Sequence, residues 1–368
     1  MNREAAMWTK VLAGIEADSL DCLQANLAVL ADQFHGARTH LRLGARLAFA
    51  PSFDAPLPTV DPGLDGRLSE AAAVLGLRAR QRADLLDGAQ LLRRIAQDGP
   101  LYVVADAHKL PWTPYFRRRH IDHSFLLLSD AVVDAYHIDT PEGSARPARL
   151  PLDEAAISPL TAAAARIEPC ALEPLEHIGV TAPDPATIDA YVAAYRDAAD
   201  RVEALEQLTA EIWLLARARR LHARWAPDQR AAAHADAWSQ LSDAVYLAKR
   251  RVERGRAEPP AWPQQLSRLL HAEIGLAGPP GAVDRARQAV VSVAAQVLDV
   301  DADKLAAAAS LADFPMFNSF RTVDIVEQVE QELATELPPD TMVAENLHYL
   351  DKLAVLFARG ASDGRRDD

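Results

Sequence analysis

Leu23, Leu27, Leu30, Ala31 and Phe34 recur at helical spacing in the stretch 19–36. That is one face of an amphipathic helix. Ser19 or Asp21 supplies its N-cap and Gly36 its stop, so Cys22 falls in the first turn. Apolar runs at 101–107 and 124–129, the second followed by 132–139, predict β-strands. From about 188 to 275 the pattern is helical, rich in Ala, Leu and Arg. Pro279-Pro280-Gly281 cannot continue a helix and marks a linker. A last helical unit follows, with Phe320, Val323, Val326, Val329 and Leu333 as the stripe of a helix beginning at Ser319. The expected organisation is a mixed domain over 1–183, its helical extension over 184–276, a linker at 277–284, a small helical domain over 285–358 and a disordered tail over 359–368. The class is α+β, with an antiparallel sheet in the first domain.

The 368 residues allow two or three such domains. No stretch of about 18 uncharged apolar residues predicts a membrane span, and the start MNREAAMWTK has no apolar signal core. Two cysteines make no disulfide framework, which fits a reducing cytoplasm. A net charge of −13 argues against general affinity for nucleic acid. In the helical middle, Arg217, Arg219, Arg220, Arg224, Arg250 and Arg251 lie among Trp213, Trp225 and Trp238. This is either a solvated bundle with aromatic anchors or a docking surface for an acidic partner.

Three residues carry candidate chemistry in the first domain. Cys22 in a first turn sits where partial positive charge favours a thiolate and where backbone N–H groups face a developing oxyanion. A small buried core cysteine fits the same position. If 124–129 and 132–139 pair about a turn at Ala131, His123 lies opposite Asp139, and a carboxylate can orient the imidazole. A surface histidine in the basic loop at Arg117–Arg119 is the plainer reading of His123. No metal site is expected.

The order Cys22, His123, Asp139 is that of a papain-like nucleophile, base and orienting group. The segment resembles the butirosin biosynthesis protein H family of papain-like acyltransferases, on Asp21-Cys22, on Asp106 to Leu110-Pro111, on His120-Ile121-Asp122-His123 and on Ile138-Asp139. The resemblance covers roughly 15–180 and implies a papain-like fold with Cys22, His123 and Asp139 as the triad and His120 as the alternative base. Glu16 stands where related peptidases place a glutamine donor, so backbone N–H groups or Gln24 would serve the oxyanion.

The last domain resembles an acyl or peptidyl carrier protein. FPMFNSFRTVDIVEQVEQEL (314–333) is similar to the family's prosthetic-group site, with a preceding helix at 289–305 and a following region at 336–357. Asn318-Ser319-Phe320 stands where the family usually shows Asp-Ser-Leu. The resemblance implies a small four-helix bundle and a covalent 4'-phosphopantetheine on Ser319. A serine there also fits a plain helix N-cap. Residues 285–357 carry five basic and twelve acidic side chains.

Together the two resemblances imply a cytoplasmic, cysteine-dependent transfer of an acyl or aminoacyl group from a phosphopantetheine thioester to an amine or alcohol, as in natural-product assembly. Implied partners are a phosphopantetheinyl transferase, an adenylating or acyl-loading enzyme, other carriers or synthetase modules, and a small-molecule acceptor. No nucleic acid or membrane partner is expected. Hydrolysis by the same triad, and a non-catalytic carrier with a degenerate papain-like domain, are the alternatives.

Overall fold

A computed structural model describes residues 3–172, 183–226, 229–274, 282–306, 308 and 310–363. It is a mixture of many α-helices and an antiparallel sheet. The chain divides into two units, 1–43 with 61–173 and 44–60 with 174–368. Most of the expected linker, residues 277–281, lies outside the described residues.

The first unit starts with α1 (Arg3–Gly14) and α2 (Cys22–His35). Asp21 caps α2 by accepting from the Gln24 N–H at 2.7 Å, while Gln24 Oε1 accepts from the Asp21 N–H at 3.4 Å. This reciprocal capping box fixes the helix start to the residue. Gly36 ends α2 at φ 104°, a backbone that side chains disfavour. The short α3 (Arg42–Ala45) runs to the crossing between units. Next come α4 (Gly63–Leu75), β1 (Leu77–Asp87), α5 (Gly88–Asp98) and β2 (Leu101–Asp106). Then follow β3 (Asp122–Leu127), β4 (Ala131–Asp134), β5 (Ile138–Thr140), β6 (Gly143–Ala145), β7 (Ala148–Pro151), α6 (Glu154–Ile157) and β8 (Thr161–Pro169). Six strands form one antiparallel sheet in the order β1-β8-β2-β3-β4-β7, and β5-β6 is a separate hairpin. Leu91, Leu101, Val103, Phe125, Leu127 and Ile157 make a core on one face of the sheet.

The β3–β4 register differs from the expected one. Leu126 faces Val133 and Leu127 faces Val132, so the turn centres on Ser129-Asp130 rather than on Ala131. Leu128 N–H closes it on Ala131 O at 2.8 Å. The shift moves every partner by three places, and the odd number changes faces. Extending the ladder puts Tyr136, not Asp139, across from His123, with Asp134 its diagonal neighbour on the same face.

In the second unit, residues 44–60 join α7 (Pro185–Arg196), α8 (Arg201–Trp225), α9 (Gln229–Val252) and α10 (Trp262–Ile274). The sequence pattern had assigned 44–60 to the first domain. Phe49 enters a core with Tyr191, Tyr195, Leu208, Trp238 and Leu266. Tyr195 Oη donates to Pro58 O at 2.5 Å, and Glu211 accepts from Thr59 Oγ1 at 2.7 Å and Val60 N–H at 2.6 Å. Gly44 is required at its place, because a Cβ would lie 2.5 Å from Leu221 O. The basic middle is thus a bundle with buried aromatic anchors, and Arg219 is itself interior, 2% exposed.

A separate core gathers α11 (Ala282–Leu298), α12 (Ala302–Ala306), α13 (Ser319–Leu333), α14 (Ala344–Leu347) and α15 (Leu350–Asp363). On α13 the buried face is Thr322, Ile325, Val326 and Val329. Of the expected stripe, Val326 and Val329 lie in the core and Leu333 packs against it, whereas Phe320 is 84% exposed and Val323 45%; in the first turns Thr322 and Ile325 take the buried face instead. The helix α15 continues to Asp363, into the stretch expected to be disordered; 364–368 lie outside the described residues. No described helix is long and apolar enough to cross a membrane.

Candidate active site

Cys22 is the first residue of α2 and is half-buried. Its Sγ donates to Asp122 O at 3.5 Å, and its carbonyl accepts from Ser124 Oγ at 2.6 Å. The start of α2 is further clamped by Arg67, which reaches Asp21 at 2.5 Å and Glu70 at 3.0 Å. These contacts hold the Cys22 backbone against the start of β3. The capping box uses the Gln24 N–H, and Ala25 N–H bonds Asp21 O. The N–H groups of Cys22 and Leu23 make no hydrogen bond among the described residues, as is usual for first-turn N–H groups.

His123 has no exposed surface, which removes the surface-histidine reading. Its Nε2 lies 2.7 Å from Asp134 Oδ2. Asp134 is also buried and accepts from Trp112 Nε1 at 3.1 Å and from the Tyr136 N–H at 2.9 Å. Its carboxyl is therefore held ionised: burial pushes its pKa up, but His123, the Tyr136 N–H and Asn26 bring it below the ordinary 3.8. For His123, burial pulls the pKa down, while the Asp134 charge and hydrogen bond, aided by Cys22, raise it above the ordinary 6.5. With Nε2 committed to Asp134, Nδ1 is the nitrogen left for Cys22. Nδ1 has no well-formed hydrogen bond among the described residues.

Asp139 does not join this array, correcting the expected third member. It lies in the separate β5-β6 hairpin, exposed, with its carboxylate on Ser144 Oγ at 2.5 Å and on Arg146 Nη2 at 2.7 Å. The cause is the register shift, which puts Asp134 in reach of His123 instead. His120, the alternative base, pairs with Asp106 at 2.6 Å and is 74% exposed. Gln24 is not free to serve an oxyanion, because its Nε2 is tied to Glu70 Oε2 at 3.0 Å and its Oε1 to the cap.

Asn26, one turn after Cys22 on the same helix face, was missed in the sequence. It is fully buried. Its Nδ2 donates to Ser124 O at 2.9 Å and its Oδ1 accepts from the Ala135 N–H at 3.0 Å. One side chain thus ties α2, β3 and the end of β4 together. Its i+4 offset from Cys22 was the available signal; a polar residue inside an apolar helix face needs a partner.

The charged pair has a pH signature. Asp134 has a lowered pKa, so its contribution to stability is present above the ordinary 3.8 and is lost as pH falls through the lower folded value. His123 has a raised pKa, so its contribution is full below the ordinary 6.5 and is lost as pH rises through the higher folded value. Urea unfolding of wild type and His123→Gln should therefore differ most between about pH 4 and 6.5 and converge gradually as pH rises from there to about 10. A difference that grows from pH 7 to 9 would contradict the pairing.

In the second unit, Asn318 caps α13 by accepting from Phe320 N–H at 3.0 Å and Arg321 N–H at 3.1 Å. Ser319 is therefore not the cap. Its hydroxyl is exposed at the helix N-terminus and makes no hydrogen bond among the described residues. Asparagine in place of aspartate keeps the capping oxygen. An exposed, uncommitted hydroxyl at a positive helix end fits attachment of a phosphodiester.

No protein-family model matches the chain, and no curated protein matches it.

Proposed function

We propose that the protein is a cysteine-dependent acyltransferase with a papain-like site, fused to a carrier domain. The observation that carries this reading is the buried His123 between the Asp134 carboxylate and Cys22 at a helix start. His123 takes the Cys22 proton, and Asp134 stabilises the imidazolium so formed. The thiolate adds to the carbonyl carbon of an acyl thioester, and the open N–H groups of Cys22 and Leu23 face the developing oxyanion. The C–S bond of the donor then breaks, and His123 returns its proton to the departing thiol. An amine or alcohol attacks acyl-Cys22, giving its proton to His123, and Cys22 leaves as the product amide or ester forms. Water as the acceptor would make the same array a hydrolase.

Ser319 is the residue that would hold a 4'-phosphopantetheine, supported by its free hydroxyl and by the cap on Asn318. When bound, that group supplies a thiol on a flexible arm, able to carry an acyl group as a thioester. Five helices around one core, three of them long, suit a carrier bundle.

The test is intact-mass analysis after incubation with a broad-specificity phosphopantetheinyl transferase and an acyl-coenzyme A. The expected result is one arm on Ser319, absent in Ser319→Ala, and an acyl adduct on Cys22, absent in Cys22→Ala. No mass gain on either residue would overturn the reading. An arm on Ser319 with no Cys22 adduct and unaltered turnover in Cys22→Ala would leave only a carrier.

A further inference from the structure

We propose that Asp106, His108 and His120 form a binding site for a divalent transition-metal cation of the zinc type. The site is separate from the Cys22–His123–Asp134 array and does not depend on its activity. One ligand atom from each of the three residues lies within 4.8 Å of the others. Asp106 ends β2, His108 sits in the 3-10 turn Ala107–Lys109, and His120 lies two residues before β3. Their backbones are held in place. Asp106 pairs with Asp122 in the β2–β3 ladder, Ala107 N–H donates to Ile121 O at 2.8 Å, and Arg117 N–H donates to His108 O at 2.9 Å. Asp106 Oδ1 accepts from the His108 N–H at 3.0 Å, which leaves Oδ2 facing His120 Nδ1 at 2.6 Å. The two imidazoles stack with centroids 4.2 Å apart.

A second observation points to a cation. Asp106 and Asp122 are directly opposed in the ladder, and like charges so placed destabilise a sheet. Positive charge beside Asp106 relieves this. The donor set then selects the ion. Two imidazole nitrogens and one carboxylate oxygen suit zinc and its neighbours, whereas calcium and magnesium favour oxygen-rich sites. An ion at about 2.0–2.1 Å from each ligand sets the donor atoms roughly 3.3 Å apart, so Asp106 Oδ2 and His120 Nδ1 open from 2.6 Å and exchange their hydrogen bond for the ion. His120, with a side chain 74% exposed, is free to turn about its χ angles and supply that movement. Three protein ligands leave a fourth position for water or a ligand. Asp122, whose carbonyl accepts from Cys22 Sγ, borders the site.

The experiment is calorimetric titration of the full chain with zinc chloride, joined to X-ray absorption at the zinc edge. The expected result is one equivalent bound with a nitrogen and oxygen shell, weakened at least about tenfold in each of Asp106→Asn, His108→Ala and His120→Ala. Cys22→Ser and Cys170→Ser should bind as wild type does. His120 is exposed, so its replacement tests the site without risk to folding. A sulfur shell at about 2.3 Å, binding unchanged in His108→Ala and His120→Ala, or no binding at 100-fold excess zinc would each overturn the proposal.

Discussion

Replacing Asp134 by asparagine should lower the proposed acyl transfer by about 10³- to 10⁴-fold, the loss expected when the group that orients a catalytic imidazole can no longer offset its charge. Asp134→Asn keeps the volume and the donors around it, so the fold should survive. What is lost is the charge that raises the His123 pKa against the pull of burial. The neutral amide can also present its NH₂ to Nε2 and reverse the tautomer, leaving Nδ1 protonated and unable to take the Cys22 proton. The matched control is Asp139→Asn. That carboxylate binds Ser144 and Arg146 on an exposed hairpin, and turnover should change less than about twofold, as for surface positions away from a site. Single-turnover formation of acyl-Cys22, read by mass, measures both variants. Equal losses in the two variants would reject Asp134 as the orienting group.

The largest loss of stability should come from Glu273→Ala, about 3–5 kcal/mol, because it strands a buried charge. Arg219 from α8 meets Glu273 from α10 through two bonds of 2.8 and 2.6 Å, with both side chains 2% exposed. His234 and Trp238 of α9 reach the same carboxylate at 3.0 and 3.2 Å, and the guanidinium lies 4.9 Å from the Trp238 ring centroid. Burial raises the Glu273 pKa, but Arg219 and His234 outweigh it and bring it to about 2. With the carboxylate gone, Arg219 stays in the interior without this counter-ion. Arg219→Met combined with Glu273→Leu removes both charges and should recover most of the loss, since replacing a buried pair by apolar groups is often neutral. Urea unfolding followed by the tryptophan signal compares the three proteins; a loss under about 1 kcal/mol in Glu273→Ala would show the pair to be unimportant.

The sequence made some of this plain and hid the rest for identifiable reasons. The helix bearing Cys22 was readable because its apolar spacing and its cap agree: Asp21 and Gln24 stand three apart, as a capping box requires. Both strands that build the site were visible as apolar runs. Their register was not, because it depends on which two residues make the turn. Ser129-Asp130, rather than Ala131, has the polar turn chemistry, and placing the turn there brings Asp134 toward His123. Asn26 and Trp112 were hidden because their roles depend on partners about a hundred and about twenty residues away. The face of α13 was misjudged because Phe320 and Val323 are apolar yet exposed, and apolar character alone does not fix burial.

The crossing of the chain at 44–60 bears on how the protein is made and dissected. Those residues leave the ribosome long before α7 to α10, the helices whose core takes Phe49. Any expression fragment ending near residue 183 would carry the 44–60 loop with nothing to bury it. A clean excision of the first unit needs the loop replaced by a short linker from 43 to 61, and the helical unit needs it restored as an N-terminal extension.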